Sequence, residues 1–208
     1  AKERLALSFR YMKDDPQNNI RVIPPLLRKE VTLHEPYSGD YIHGYMVNAG
    51  FSENVMKWHR QHPRIPLRFF WDKWEEEPVK RVDNTLSFYQ LDDVEFFWQM
   101  AGCKAYASTA GFESVCEAMY LGKPILMVPA HIEQDCNAYD AKKSGAGIIS
   151  SDFNLQQLLE FAKDYHPNRD FVYWVRGAEY TLLNLLESDS SNYQQVLFNE
   201  MYLVEEFI

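Results

Sequence analysis

Short apolar runs alternate along the middle of the chain with longer stretches in which apolar residues recur every three or four positions. Runs of the first kind predict strands at Tyr41–Asn48, Leu67–Trp71, Thr85–Tyr89, Lys104–Ser108, Ile125–Pro129 and Ala146–Ser150. Stretches of the second kind predict helices at Ser52–His62, Asp92–Ala101, Gly111–Leu121 and Gln134–Ser144. Strands that alternate with helices pair in parallel, because each crossover helix returns the chain to the same edge of the sheet. Turn residues fall where this pattern needs them: Gly102 ends one helix, Gly122 with Pro124 ends the next, and Gly145 and Gly147 flank the last short strand. The expected fold is therefore α/β, a Rossmann-like doubly wound parallel sheet.

The ends follow a different pattern. Leu5–Tyr11 and Ile20–Pro24 predict strands with no helix between them, and Pro24-Pro25 then favours extended chain, as in a linker. Asn154–Tyr165, Arg169–Glu187 and Asn192–Phe207 predict three helices with no further strand. Asp189-Ser190-Ser191 breaks the last two, and Glu75-Glu76-Glu77 before Pro78 predicts a solvated loop.

Charge narrows the partners. A net charge of -9 over 208 residues leaves no basic face to displace counterions from nucleic acid. It equally disfavours an anionic membrane surface, and no apolar run is long enough to span a bilayer. A small anionic ligand is compatible, since local dipoles can overcome a diffuse negative field. Cys103, Cys116 and Cys136 form no CxxC pattern, so buried, reduced thiols in a cytoplasmic protein are expected, with no disulfide or metal site.

One stretch concentrates chemistry: Ser108-Thr109-Ala110-Gly111-Phe112-Glu113-Ser114-Val115-Cys116-Glu117, continuing through Gly122-Lys123-Pro124 to Glu133-Gln134-Asp135-Cys136-Asn137-Ala138. A strand ends at Ser108 and a helix opens near Gly111, which presents N–H groups and a positive dipole end to an anion. Glycine lets a phosphate approach the backbone closely. Glu117, one turn beyond Glu113, offers a carboxylate to both hydroxyls of a ribose. Glu133-Gln134 follow the next strand, at the carboxyl edge where open α/β sheets bind ligands.

This stretch resembles the donor-binding motif of GT-B-fold glycosyltransferases, a group that includes plant and animal UDP-glycosyltransferases and the bacterial peptidoglycan-precursor N-acetylglucosaminyltransferase. The resemblance implies the C-terminal half of a GT-B fold. It implies diphosphate contacts at Thr109, Ala110, Gly111 and Phe112, with Ser114 beside them and Glu117 on the ribose. Glu133 and Gln134 would hold sugar hydroxyls, and Asn137-Ala138 completes the pattern. By position, Gly50 and Ser52 correspond to a phosphate-approaching loop, and Phe88 and Tyr89 to a segment whose backbone touches the base.

The same resemblance sets expectations about the whole protein. Residues 1–30 would be the tail of a missing N-terminal domain with its linker, residues 31–188 the nucleotide-sugar domain, and residues 189–208 a helix that packs back toward the N-terminal domain. The donor would be a nucleotide-sugar, UDP-linked, used as substrate with no cofactor and no metal. The acceptor is not named by these residues, and no catalytic residue falls in this chain, which alone would be inactive. Thr109 stands where histidine or arginine occurs in the resembling enzymes, and where retaining members carry a second glutamate; inversion at the anomeric carbon is therefore expected. The rival readings are a UDP-N-acetylglucosamine 2-epimerase-like enzyme and a non-catalytic nucleotide-sugar-binding module.

Other features carry less. His59 and His62 lie three apart on a predicted helix and are expected on its exposed face. Phe69, Phe70 and Trp71 are expected in the core of a strand, with Trp74 packing in the loop beyond.

Overall fold

The computed structural model describes residues 4–73 and 77–187, and the chain divides into two compact units. The larger, Leu27–Asn168, is built on a seven-stranded sheet. After the single-turn helix α1 (Lys29–Thr32) it runs β3 (Ile42–Met46), α2 (Ser52–Gln61), β4 (Leu67–Trp71), β5 (Val79–Arg81) and β6 (Leu86–Gln90). It continues through α3 (Asp93–Gly102), β7 (Ala105–Ser108), α4 (Phe112–Tyr120), β8 (Ile125–Met127), α5 (Ile132–Lys143), β9 (Gly147–Ile149) and α6 (Leu155–Phe161). The spatial order is β5-β6-β4-β3-β7-β8-β9, parallel throughout except for β5 at one edge. This is the doubly wound α/β architecture, with the strand order reversing direction between β3 and β7.

The central strands are short and mostly apolar because both sheet faces are covered. Ile42, Leu67, Phe69, Leu86, Phe88, Ala105, Ala107 and Leu126 are at most 1% exposed. Phe69, Phe70 and Trp71 are all core residues, and Trp71 stacks on Phe88 with ring centroids 4.5 Å apart. Each of the six predicted strands of this unit and each of its four crossover helices forms, within a residue or two of the expected bounds.

The smaller unit pairs β1 (Arg4–Leu7) with β2 (Ile20–Ile23) in parallel, joined by a loop with a 3-10 turn at Pro16–Asn18. Its helices are α7 (Arg169–Arg176) and α8 (Ala178–Glu187). Gly177 divides the single helix expected over Arg169–Glu187 into these two. Trp174 ties α7 to the strand segment: its Nε1 donates to the Ser8 carbonyl at 2.9 Å, and its ring meets Tyr11 edge-on. The expected solvated loop at Glu75-Glu76, the packing of Trp74 beside it, and the final helix over Asn192–Phe207 lie outside the described residues.

Three expectations need correction. His59 is not on an exposed face but 4% exposed, because Asp83 in the turn before β6 meets its Nε2 at 2.8 Å. His62 instead stacks on Trp58 one turn earlier. Cys103 and Cys116 are buried as expected, with burial raising Cys103 to about 12 and Cys116 well above its ordinary value, but Cys136 is exposed.

Candidate nucleotide-sugar site

The carboxyl edge of the sheet gathers the loops that carry the candidate residues. The loop after β3 holds Gly50 and leads into Ser52; the loop after β7 holds Thr109, Ala110 and Gly111; the loop after β8 leads to Glu133 and Gln134. Direct bonds hold the first two together at the switch point between β3 and β7. The Thr109 N–H donates to the Tyr45 carbonyl at 3.3 Å, and the Val47 N–H donates to Thr109 Oγ1 at 3.3 Å. Thr109 is only 1% exposed, so its side chain ties two loops together rather than standing in an open cleft.

The turn into α4 has an unusual division of labour. Ala110, fully buried, adopts the left-handed φ of 60°, while Gly111 has an ordinary extended backbone at φ -61°, ψ 134°. A Cβ added at Gly111 would meet only Ser114 Oγ, at 3.7 Å. Neither backbone nor packing therefore requires glycine at this position. No side chain caps α4, nor α2 and α5, whereas Asp92 caps α3 and Asn154 caps α6 through their carboxylate and amide oxygens. A helix start without a side-chain cap, fronted by a residue with no side chain, is suited to an anion that takes the place of the cap. Ser114, mostly buried in the first turn, donates its hydroxyl to the Gly111 carbonyl at 3.2 Å.

Around this point the other residues are placed as follows. Glu133 is exposed at the start of α5. Gln134 is buried, with its Oε1 accepting from the Ala130 N–H at 2.8 Å, so it braces the loop that leads into its own helix. Asn137, one turn on, holds a buried side-chain nitrogen that has no hydrogen-bond partner among the described residues. The Asn48 side chain accepts from the Gly50 N–H at 2.8 Å, which fixes the loop after β3. Phe88 is a core residue of β6, which leaves its backbone for contact, and Tyr89 is half-buried, stacked on Phe70 at 5.1 Å.

Glu117 departs most from a free ribose ligand. It is 1% exposed, and both its oxygens are occupied by Arg28: Nε to Oε1 at 2.7 Å and Nη2 to Oε2 at 2.8 Å. Burial raises its carboxyl above the ordinary value, and the Arg28 guanidinium opposes that rise. Arg28 also reaches Asp93 Oδ1 at 2.9 Å and lies over the Phe97 ring, 4.4 Å from its centroid. Nothing near Arg28 in the sequence marks it for this position; its partner is 89 residues away. Among the described residues no cluster of histidine, cysteine or carboxylate could hold a metal ion, and no helix is long and apolar enough to cross a membrane.

Comparison with known proteins places this geometry. The family model described as glycosyl transferase family 1 matches residues 2–165. Among solved structures, a glycotransferase of kitacinnamycin is 13% identical with a TM-score of 0.60, covering 86% of this chain and 51% of its own. The calicheamicin glycosyltransferase CalG4 is 14% identical with a TM-score of 0.57, covering 81% and 48%. LpCGTa, solved in complex with UDP, is 16% identical with a TM-score of 0.51, covering 91% and 48%. The chain thus spans about half the length of the structures it matches, and these likenesses are of fold. No curated protein matches the sequence. With a matching family model over most of its length and the Rossmann-like fold of GT-B glycosyltransferases, the chain belongs to glycosyl transferase family 1.

Proposed function

We propose that this chain is the donor-binding half of an enzyme that transfers a sugar from a UDP-linked donor to an acceptor, with inversion at the anomeric carbon. The observation that carries the reading is Gly111, a glycine required by neither backbone nor packing, at the start of a helix that no side chain caps. In this reading the diphosphate lies against the backbone of Thr109, Ala110, Gly111 and Phe112, with Ser114 beside it. Glu117 accepts from the ribose hydroxyls. Glu133 and the Asn137 amide hold the hexose, and Gln134 keeps their loop in place. Gly50 and Ser52 flank the phosphates, and the strand end at Phe88 and Tyr89 meets the base.

Helix N–H groups aimed at the departing diphosphate stabilise the charge that develops on it, so no metal or cofactor is needed. The base that activates the acceptor hydroxyl belongs to a facing domain outside this chain. The unit Leu27–Asn168 would then be the part that binds the donor. Unpaired thiols at Cys103, Cys116 and Cys136 support a cytoplasmic location.

Calorimetric titration of the intact protein with UDP-, dTDP- and GDP-linked sugars tests the reading. UDP and a UDP-sugar should bind, and Glu133→Ala should spare UDP while it weakens the UDP-sugar by about 1 kcal/mol, a typical hydrogen bond. Failure of every nucleotide to bind would remove the proposal. Proton NMR of the product formed from an α-linked donor tests the stereochemistry, a directly formed α-linked product being the adverse result.

A further inference from the structure

Resting on that reading of Glu117 as the ribose ligand, we propose that Arg28 is a competitor built into the ribose subsite, so that a donor must exchange an ion pair for its own hydroxyls. The carboxylate is not accessible as it stands. Arg28 takes both oxygens at 2.7 and 2.8 Å, and Glu117 is left 1% exposed. A ribose diol needs the same two oxygens. Each oxygen could accept a second hydrogen bond, but Glu117 lies 1% exposed beside Arg28, so a ribose gains both oxygens only when the guanidinium moves aside.

The arrangement allows the exchange through one side chain. Arg28 itself is 38% exposed, so its outer face already meets solvent while the carboxylate beneath does not. It sits immediately before α1, a single turn with no side-chain cap, and two residues beyond the boundary at Leu26 that separates the two units. Its remaining anchor is Asp93, two-thirds exposed, and its flat guanidinium covers the Phe97 ring. A buried ion pair of this kind adds little net stability, because desolvation offsets most of the attraction. What it does change is the state of the site. The empty protein keeps the Glu117 charge neutralised, and only a ligand able to satisfy both oxygens displaces the arginine efficiently. A nucleotide lacking the 2′-hydroxyl leaves one buried oxygen unmet and gains less from opening the pair.

The charge sign makes the test decisive. Simple electrostatics says that removal of an arginine weakens the binding of an anion. Competition says the reverse. Titrating the intact protein and its Arg28→Ala variant with UDP should show roughly tenfold tighter binding to the variant, as expected if about a tenth of the molecules have the pair open. Arg28→Lys keeps the charge but loses the two-pronged fit, so it should bind UDP a few-fold tighter than the parent; it also serves if the alanine variant folds poorly. Both gains should shrink for 2′-deoxy-UDP and vanish for inorganic pyrophosphate, which has no ribose. Weaker UDP binding in both variants would overturn the proposal and make Arg28 a donor ligand. Unchanged binding would overturn it while leaving the donor reading intact, and no UDP binding to parent or variant would remove both.

Discussion

The two edges of the large sheet differ in how some of their buried polar groups are held. At the amino edge several are paired within the protein, although His59 Nδ1, Gln99 Oε1 and both ring nitrogens of His43 have no partner among the described residues. Lys123, 4% exposed, donates to the carbonyls of Tyr37 at 2.6 Å and Cys103 at 3.0 Å. His59 meets Asp83, which also accepts from the Thr85 and Leu86 N–H groups. Tyr41 donates its hydroxyl to the Gln99 carbonyl at 2.7 Å. At the carboxyl edge α4 begins without a side-chain cap, Asn137 keeps a buried nitrogen unpaired among the described residues, and Glu117 is held by a half-exposed arginine. Groups satisfied internally stabilise the fold, whereas groups left open or held by a displaceable partner are available to a ligand. Substitutions at the amino edge should therefore change stability, and those at the carboxyl edge should change binding.

The largest expected effect sharpens the first half of that statement. His43, in the amino half of β3, is fully buried against Tyr106, Phe70 and Phe96, and burial lowers it to about 3 from 6.5. Between those values the unfolded chain takes up a proton that the folded one refuses, so stability is complete above pH 6.5 and falls as the pH drops toward 3. At 1.36 kcal/mol per unit the limit is about 5 kcal/mol, an order-of-magnitude figure. His43→Leu should flatten the fall in denaturation midpoint between about pH 6.5 and 4; a slope equal to the parent's would show that other groups carry the acid sensitivity.

Lys123→Met comes next. It should lower stability by roughly 3 kcal/mol, since two carbonyls lose charge-assisted donors. Urea denaturation measures this, and UDP affinity measured in the same variant should stay within about twofold, because the substitution lies at the opposite edge from Gly111. A matching loss of affinity would break the division between the edges.

Gly111→Val reverses the expectation. The added Cβ has room, with Ser114 Oγ at 3.7 Å the nearest atom, so stability should fall by only about 1 kcal/mol, mainly from valine's poor fit to the N-cap position. Nucleotide affinity should fall at least about tenfold, or 1.4 kcal/mol, if a phosphate is to lie against that backbone. Equal affinities in calorimetry would mean that the diphosphate lies elsewhere.

These contrasts also explain what could be read from the sequence. The turn from β7 into α4 was legible because strand, small residues and helix follow one another locally, and their periods change at Ser108. β5 was not, since Val79–Arg81 is a three-residue edge strand with two exposed charged side chains and no alternation to detect. The buried positions of His59 and Glu117 were hidden for another reason. Asp83 and Arg28, which allow burial, arrive through the fold from 24 and 89 residues away. Periodicity shows which residues share a face, but not which distant charge will cover it.

The smallest effect concerns left-handed backbone, where the edges again differ. After α4 and α5, at the amino edge, left-handed positions are filled by Gly122 at φ 66° and Gly145 at φ 76°. At the carboxyl edge the left-handed residue is Ala110, while the adjacent Gly111 has no such need. Gly145→Ala should therefore cost about 1 kcal/mol through backbone strain alone, because nothing lies within 4 Å of the added methyl. Ala110→Gly should be nearly neutral. Relief of strain contributes about 1–2 kcal/mol, but greater freedom of the unfolded chain removes roughly 0.4–1 kcal/mol. Loss of a buried methyl removes a further ~0.8 kcal/mol. The terms cancel to within their uncertainty, so thermal denaturation should place this variant within about 0.5 kcal/mol of the parent. A gain well above that would mean the turn stores more strain than its angle implies, which is the kind of excess held at ligand sites. A loss would mean that the Ala110 methyl is there for packing, and that the glycine beside it is the only residue of the pair placed for a ligand.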